Sequence, residues 1–292
     1  MTQGNAKKIL GGAFDLHVHS APSHFPRRFD DWELAESLDE SGMAGAVVKF
    51  HAGGTAVRAN LVNKRMGRSL LYGSVTLNAF VGGLNPVAVE AEIRLGAKIV
   101  WFPTIHAANH IAFYGGTEWN HLKASAPLPQ VTKGIHACDE SGVPLPETLR
   151  VIEVVAQNDV CLATGHLSPS EAIAVCREAI RIGVKRVILT HPDFETQAIP
   201  LERQIELAGI GVMIEKTAIP LKLGHTTMRK TAESVAAIGA EHCLLATDFG
   251  QIDNPNAPDG LLAFLEALHE EGLPWSDLER TVKDNARFVL GL

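Results

Sequence analysis

The stretch Ala13-Phe14-Asp15-Leu16-His17-Val18-His19 decides the reading of this chain. It is a short, mostly apolar run closed by two histidines two positions apart, so both imidazoles belong on one face of a strand. Seven similar runs follow: Gly45–His51, Leu70–Asn78, Ala97–Thr104, Asp159–His166, Lys185–His191, Ile210–Lys216 and His242–Phe249. Their starts lie 25–32 residues apart, with one gap of 62 between Ala97 and Asp159. Each short gap accommodates a strand, two loops and a crossover helix.

The segments between the runs carry helix signals. Asn85-Pro86 pairs an N-cap with proline at the first helical position, and Ser168…Glu171 and Ser276…Glu279 match the capping box. Ala172, Val175, Cys176, Ala179 and Ile180 form one apolar stripe, and Gly42, Gly96, Gly183, Gly239 and Gly272 suit helix ends. Strand then helix, eight times over, predicts an α/β fold: a single (β/α)8 TIM barrel over residues 1–292. An open doubly wound sheet is the alternative, but it prefers a glycine-rich turn after its first strand, and Gly11-Gly12 comes before it. The long gap predicts an insertion after strand 4, about 106–146, on the barrel face where active sites form. Residues His106 to Thr132 are expected to cover that face as a lid, with His106 or His110 pointing into it. The competing expectation is a surface used only for assembly.

Composition narrows the function. Of 292 residues 46% are apolar, and 26 basic against 33 acidic residues leave a net charge of −7 with no basic run. Neither nucleic acid nor a membrane is an expected partner; a small-molecule substrate is, and a homo-oligomer is compatible. No apolar stretch reaches the ~18 residues of a bilayer span, and the start is not expected to act as a signal peptide. Cys138, Cys161, Cys176 and Cys243 are far apart, as reduced thiols of a cytoplasmic protein would be. The chain is rich in histidine, with 13, and their positions matter more than their number. His17 and His19 end strand 1, His51 strand 2, His166 strand 5 and His191 strand 6, while Asp248 ends strand 8. Imidazoles and a carboxylate converging from strand ends are how a barrel builds a divalent-metal site. Alternation puts Asp15, His17 and His19 in the lumen, with Leu16 and Val18 toward the helices.

As a set, His17-Val18-His19, His166 in Ala-Thr-Gly-His, His191 in Leu-Thr-His-Pro, Asp248 in Ala-Thr-Asp-Phe and the closing Asp284-Asn285-Ala286…Leu290-Gly291 resemble the amidohydrolase superfamily of metal-dependent barrels. The resemblance runs the whole chain in order and points to an uncharacterised bacterial branch. It implies that His17, His19, His166 and Asp248 hold a catalytic metal, zinc first, manganese or iron in its place. His191 would be a further ligand or a proton-transfer group, and Asp248 with His191 would be catalytic. Binuclear members end strand 4 with a bridging lysine or glutamate. Here that strand reads Lys98-Ile99-Val100-Trp101-Phe102-Pro103-Thr104, with its lysine at the wrong end, so one metal is expected rather than two.

Other polar residues are candidates for substrate. Lys49 has three readings: an internal ion pair with Asp15 or Glu215, a substrate contact, or a bridge between metals. His51 and His106 are candidate substrate or water contacts, as are Glu215 near the end of strand 7 and Arg27 in the loop after strand 1, with Arg28 beside it. The expected reaction is hydrolysis of an amide, ester, lactone or phosphoester bond by metal-activated water. Rivals are a mononuclear metal-dependent lyase or decarboxylase, and a non-catalytic metal-binding barrel.

Overall fold

The computed structural model describes residues 2–129, 131 and 133–292; Met1, Gln130 and Thr132, the last closing the predicted lid, lie outside the described residues. Each of the eight predicted runs contains strand. β1 is Phe14–Val18 and β2 Gly45–Val48, and the third run is interrupted at Gly73 into β3 (Leu71–Tyr72) and β4 (Ser74–Thr76). β5 (Ile99–Trp101), β6 (Cys161–Ala163), β7 (Val187–Leu189), β8 (Val212–Thr217) and β9 (Cys243–Ala246) follow. Successive pairs are parallel, in sheets β1-β2-β3 and β4 to β9 that the chain joins through Gly73. The circle closes where Val18 pairs with Phe249. There His19 N donates to Phe249 O at 2.7 Å and Asp248 N donates to His17 O at 2.9 Å. This is a (β/α)8 barrel, not an open sheet.

Helices occupy the gaps. The first half carries α1 (Thr2–Leu10), α2 (Asp31–Glu40), α3 (Ala56–Met66), α4 (Pro86–Arg94) and α5 (Ala108–Tyr114). The second carries α6 (Pro146–Gln157), α7 (Pro169–Ile182), α8 (Leu201–Ala208), α9 (Ile219–Lys222), α10 (Met228–Ile238), α11 (Ala257–Glu270), α12 (Trp275–Val282) and α13 (Asp284–Leu290). The Asn85 cap and the Ser168–Glu171 capping box form as the sequence predicts. The Ser276 box does not. Helix α12 begins at Trp275, because Pro274 just ahead of it already holds the φ that a helix entry needs.

Two apolar layers hold the barrel. An outer layer packs Val18, Val48, Val100, Leu162, Leu189 and Ile214 against the helices. The inner one stacks Phe14, Leu16, Val47, Trp101, Ile188 and Met213, and Ala286, Val289 and Leu290 of α13 belong to it. Leu16 therefore faces inward, against the alternation expected for β1. The register of β1 on β2 shifts between Asp15 and Val18, and this irregularity turns His17 inward directly after Leu16. Asp15 is instead tied to Thr247, whose Oγ1 donates to it at 2.6 Å. All four cysteines are buried free thiols, and among the described residues no helix is long and apolar enough to cross a membrane.

Candidate metal centre

The C-terminal ends of β1, β2, β6, β7 and β9 converge on a chamber of about 30 Å³, lined by His19, Lys49, His51, His166, His191 and Asp248. That is room for an ion or a water molecule. Two of these residues reach it on unusual backbone: His191 has φ +24° and Asp248 φ +57°, a region that non-glycine residues seldom occupy. Gly165 prepares the way for His166. It sits at φ +60°, and a Cβ there would run into the carbonyls of Phe102 and Pro103.

Ring-nitrogen bookkeeping shows what the centre lacks. His19 Nδ1 lies 2.9 Å from the Lys49 carbonyl, which only accepts, so Nδ1 carries the proton and Nε2 is bare. His17 Nδ1 lies 3.1 Å from Glu215 Oε1; an ionised Glu215 only accepts, which puts the proton on Nδ1 and leaves Nε2 bare. Yet both Nε2 atoms face Asp248 Oδ1, at 3.1 Å from His17 and 3.0 Å from His19. The Lys49 ammonium gives His17 Nε2 a donor at 3.0 Å, while His19 Nε2 and Asp248 Oδ1 remain two acceptors 3.0 Å apart, which repel unless a cation or a proton lies between them. Protonation is disfavoured: burial lowers His17 to about 3 and holds His19 well below the usual histidine value. His17, His19 and Asp248 thus offer one ligand atom each, all within 4.8 Å of one another. Nitrogen and oxygen donors on buried, neutral imidazoles and a carboxylate fit a divalent ion such as zinc.

The surroundings orient these ligands. Glu215 is fully buried behind His17, and its Oε2 also accepts from His191 N at 3.1 Å. Burial raises its pKa to about 7. His191 stacks on His17 with ring centres 5.7 Å apart and lies 5.2 Å from His166; its buried Nδ1 has no partner among the described residues. His166 Nδ1 meets His110 Nδ1 at 3.2 Å, so one of the two must donate. The proton on His166 Nδ1 would leave its Nε2 bare for a ligand, the usual outer-partner arrangement of a metal-binding histidine.

The predicted residues divide in their placement. His17, His19 and Asp248 form the tight cluster, with His166 and His191 in the same chamber wall. Lys49 pairs with neither Asp15 nor Glu215. Its Nζ lies 3.0 Å from His17 Nε2 and 4.5 Å above the Trp101 ring, and burial lowers its pKa to about 8. His51 stacks on His19 at 4.8 Å, and its Nδ1 lies 2.9 Å from Thr104 Oγ1. Thr104 stands at the end of the fourth predicted strand, where a bridging residue would be expected, and orients a histidine instead. His106 is not brought to the chamber: Ala79 N donates to its Nδ1 at 3.0 Å and Phe80 packs on its ring, which holds it against the 79–81 turn. Glu215 stands behind His17 instead of in the wall, and Arg27 reaches the wall while Arg28 stays exposed.

Sequence reasoning passed over Phe194, Ile219 and Gln251, which also line the chamber. They are unremarkable loop and helix residues, and nothing in their local pattern marks them. From the insertion, Trp119, His121 and Leu122 line the chamber as well.

Several solved structures share this (β/α)8 barrel fold over nearly their whole length. An amidohydrolase from Pseudomonas aeruginosa is 15% identical with a TM-score of 0.67, over 100% of both chains. The probable dipeptidase PvdM from Pseudomonas aeruginosa is 10% identical with a TM-score of 0.68, covering 99% of this chain and 98% of its own. A 2,6-dihydroxybenzoate decarboxylase from Rhizobium is 14% identical with a TM-score of 0.55, covering 96% and 98%. At such identities the likeness is one of fold. In sequence, residues 12–215 match the family of unknown function DUF6282, and the chain belongs to that family. No curated protein matches it.

Proposed function

We propose that the protein is a metal-dependent hydrolase acting on an amide, ester, lactone or phosphoester bond of a small molecule. The observation that carries this reading is the gathering of three atoms able to ligate, His17 Nε2, His19 Nε2 and Asp248 Oδ1, on buried residues within 4.8 Å of one another. His17, His19 and Asp248 would hold one divalent ion, zinc most naturally, with His166 and His191 beside it. When bound, such an ion supplies Lewis acidity and brings the pKa of a water from 15.7 to about 7.

The chain's own groups then divide the work. Asp248, whose second oxygen is not committed to His17 or His19, takes the proton of the attacking water as general base and returns it to the leaving group. His191 donates a hydrogen bond to the developing oxyanion, a role that suits a ring whose Nδ1 is otherwise unpartnered. Glu215 keeps the proton on His17 Nδ1. A second reading, metal-dependent decarboxylation, is favoured by one observation, the fold shared with the Rhizobium decarboxylase over 96% of this chain.

Elemental analysis of the purified protein, followed by a panel of esters, lactones, amides, phosphoesters and aromatic acids, tests both. About one metal per chain and metal-dependent release of acid, amine or alcohol is the expected result; carbon dioxide release without water uptake favours the second reading. Protein without metal after gentle purification removes both.

A further inference from the structure

We propose that Arg27 forms an anion subsite of the chamber that takes a carboxylate or phosphate group of the substrate. This rests on the reading of the chamber as a metal-dependent active site and adds the substrate's chemical class.

Arg27 lies in the loop between β1 and α2, and its guanidinium lines the chamber together with Lys49 and Asp248. Its Nε donates to Ser23 Oγ at 3.3 Å, and its head lies 5.8 Å from the Phe25 ring centre. Those contacts fix the direction of the fork. Its Nη1 is buried and has no hydrogen-bond partner among the described residues. A buried guanidinium N–H without an acceptor is costly, and of the acceptors that could supply it a carboxylate or phosphate oxygen matches the cationic fork best.

Asp248 favours the charge of Arg27, but no carboxylate accepts a hydrogen bond from it among the described residues. Asp248, the acidic residue in the wall, turns Oδ1 to His17 and His19, and Glu215 is spent on His17. The charge of Arg27 still reaches the centre, since it contributes to the lowered pKa of His17, His19 and His51. Lys49 is a second cation of the same wall, and Trp119, Leu122 and Phe194 exclude water around both. An oxyanion entering here meets two cations in a low-dielectric pocket. Arg28 offers the contrast: it is exposed and donates to the Ile252 carbonyl at 3.2 Å.

Calorimetric titration of the full chain with malonate, inorganic phosphate and neutral malonamide, in zinc-loaded and metal-stripped protein, tests the subsite. Wild type is expected to bind at least one oxyanion and not malonamide, and the oxyanion that binds tells carboxylate from phosphate. Arg27→Met should weaken that anion by about ten- to a hundredfold. Arg27→Gln should do the same if the methionine variant loses its thermal transition, and Arg28→Met should bind as wild type does. Equal affinity in wild type and both Arg27 variants overturns the proposal, as does a wild type that binds neither anion. Anion binding that depends on Arg27 in a protein that takes up no zinc keeps the subsite and sinks the metal reading alone.

Discussion

His17 serves three partners with one ring. Glu215 holds the proton on Nδ1, and Nε2 faces Asp248 and the Lys49 ammonium. Removing either side of this arrangement has a different consequence. His17→Ala deletes a ligand, so metal content after chelator challenge should fall to background, and His166→Ala should behave alike. Glu215→Ala leaves the ligand but frees its tautomer, which should weaken metal affinity by about 10–100-fold in a competition titration. Asp248→Asn should retain much of the metal and lose about 10²–10⁴ in kcat. A near-native rate in Asp248→Asn would pass the role of base to His191 or Glu215. At this scale the sequence was readable where chemistry is local. His17-Val18-His19 announces itself, whereas Glu215, 198 residues from His17, reads as a substrate candidate beside Lys216 at the end of an apolar run, with nothing local to mark it as the partner of His17.

We expect the insertion after β5, which lines the chamber with Trp119, His121 and Leu122, to set selectivity. Helix α5 brings His110 beside His166, and Trp119 packs at 5.4 Å from Phe25, 5.3 Å from His51 and 5.1 Å from His110. Trp119 is 7% exposed, so the indole closes the chamber from above. The Trp119→Ala variant should bind metal as wild type does, show a higher KM, and lose roughly 3 kcal/mol or more of stability in urea unfolding. Metal loss with unchanged KM would show instead that the indole supports the ligands. The length of the insertion was visible as the 62-residue gap, and its place at the barrel mouth followed from strand order. Which of its histidines points inward was not, because His106 and His110 are both polar residues near glycine and asparagine. The outcome rests on Ala79 N capturing the His106 ring, a contact made by another loop.

Across the whole molecule, burial leaves eight imidazoles harder to protonate than in an unfolded chain: His17, His19, His51, His106, His110, His121, His166 and His191. Below the ordinary histidine value of 6.5 the unfolded chain takes up these protons first, so stability falls as pH falls. Asp15 and Glu215, both raised to about 7, work in the opposite sense: the folded protein binds their protons more tightly, and stability falls as pH rises toward 7. The imidazoles outnumber them. Metal-stripped protein should therefore melt at a lower temperature at pH 5 than at pH 7.5, and zinc should steepen the difference because protons compete for the same nitrogens. Equal melting temperatures would mean that the imidazoles are more hydrated than their burial implies.

What the sequence by itself determined is the strand-and-helix alternation, the barrel it builds, and the strand ends at which histidine and aspartate gather. These follow from neighbours in the chain, since periodicity, caps and strand ends are local properties. Tertiary structure alone decided the face of Leu16, the partners of His17, the withdrawal of His106 and the inward aim of Arg27. Each depends on which strands become neighbours, in what register, and which loops fold over the mouth. The shift between Asp15 and Val18 shows why: a single irregularity reassigns the faces of a strand, and only the closed barrel, with β1 paired to β2 on one side and bridged to Phe249, just beyond β9, on the other, determines where it falls.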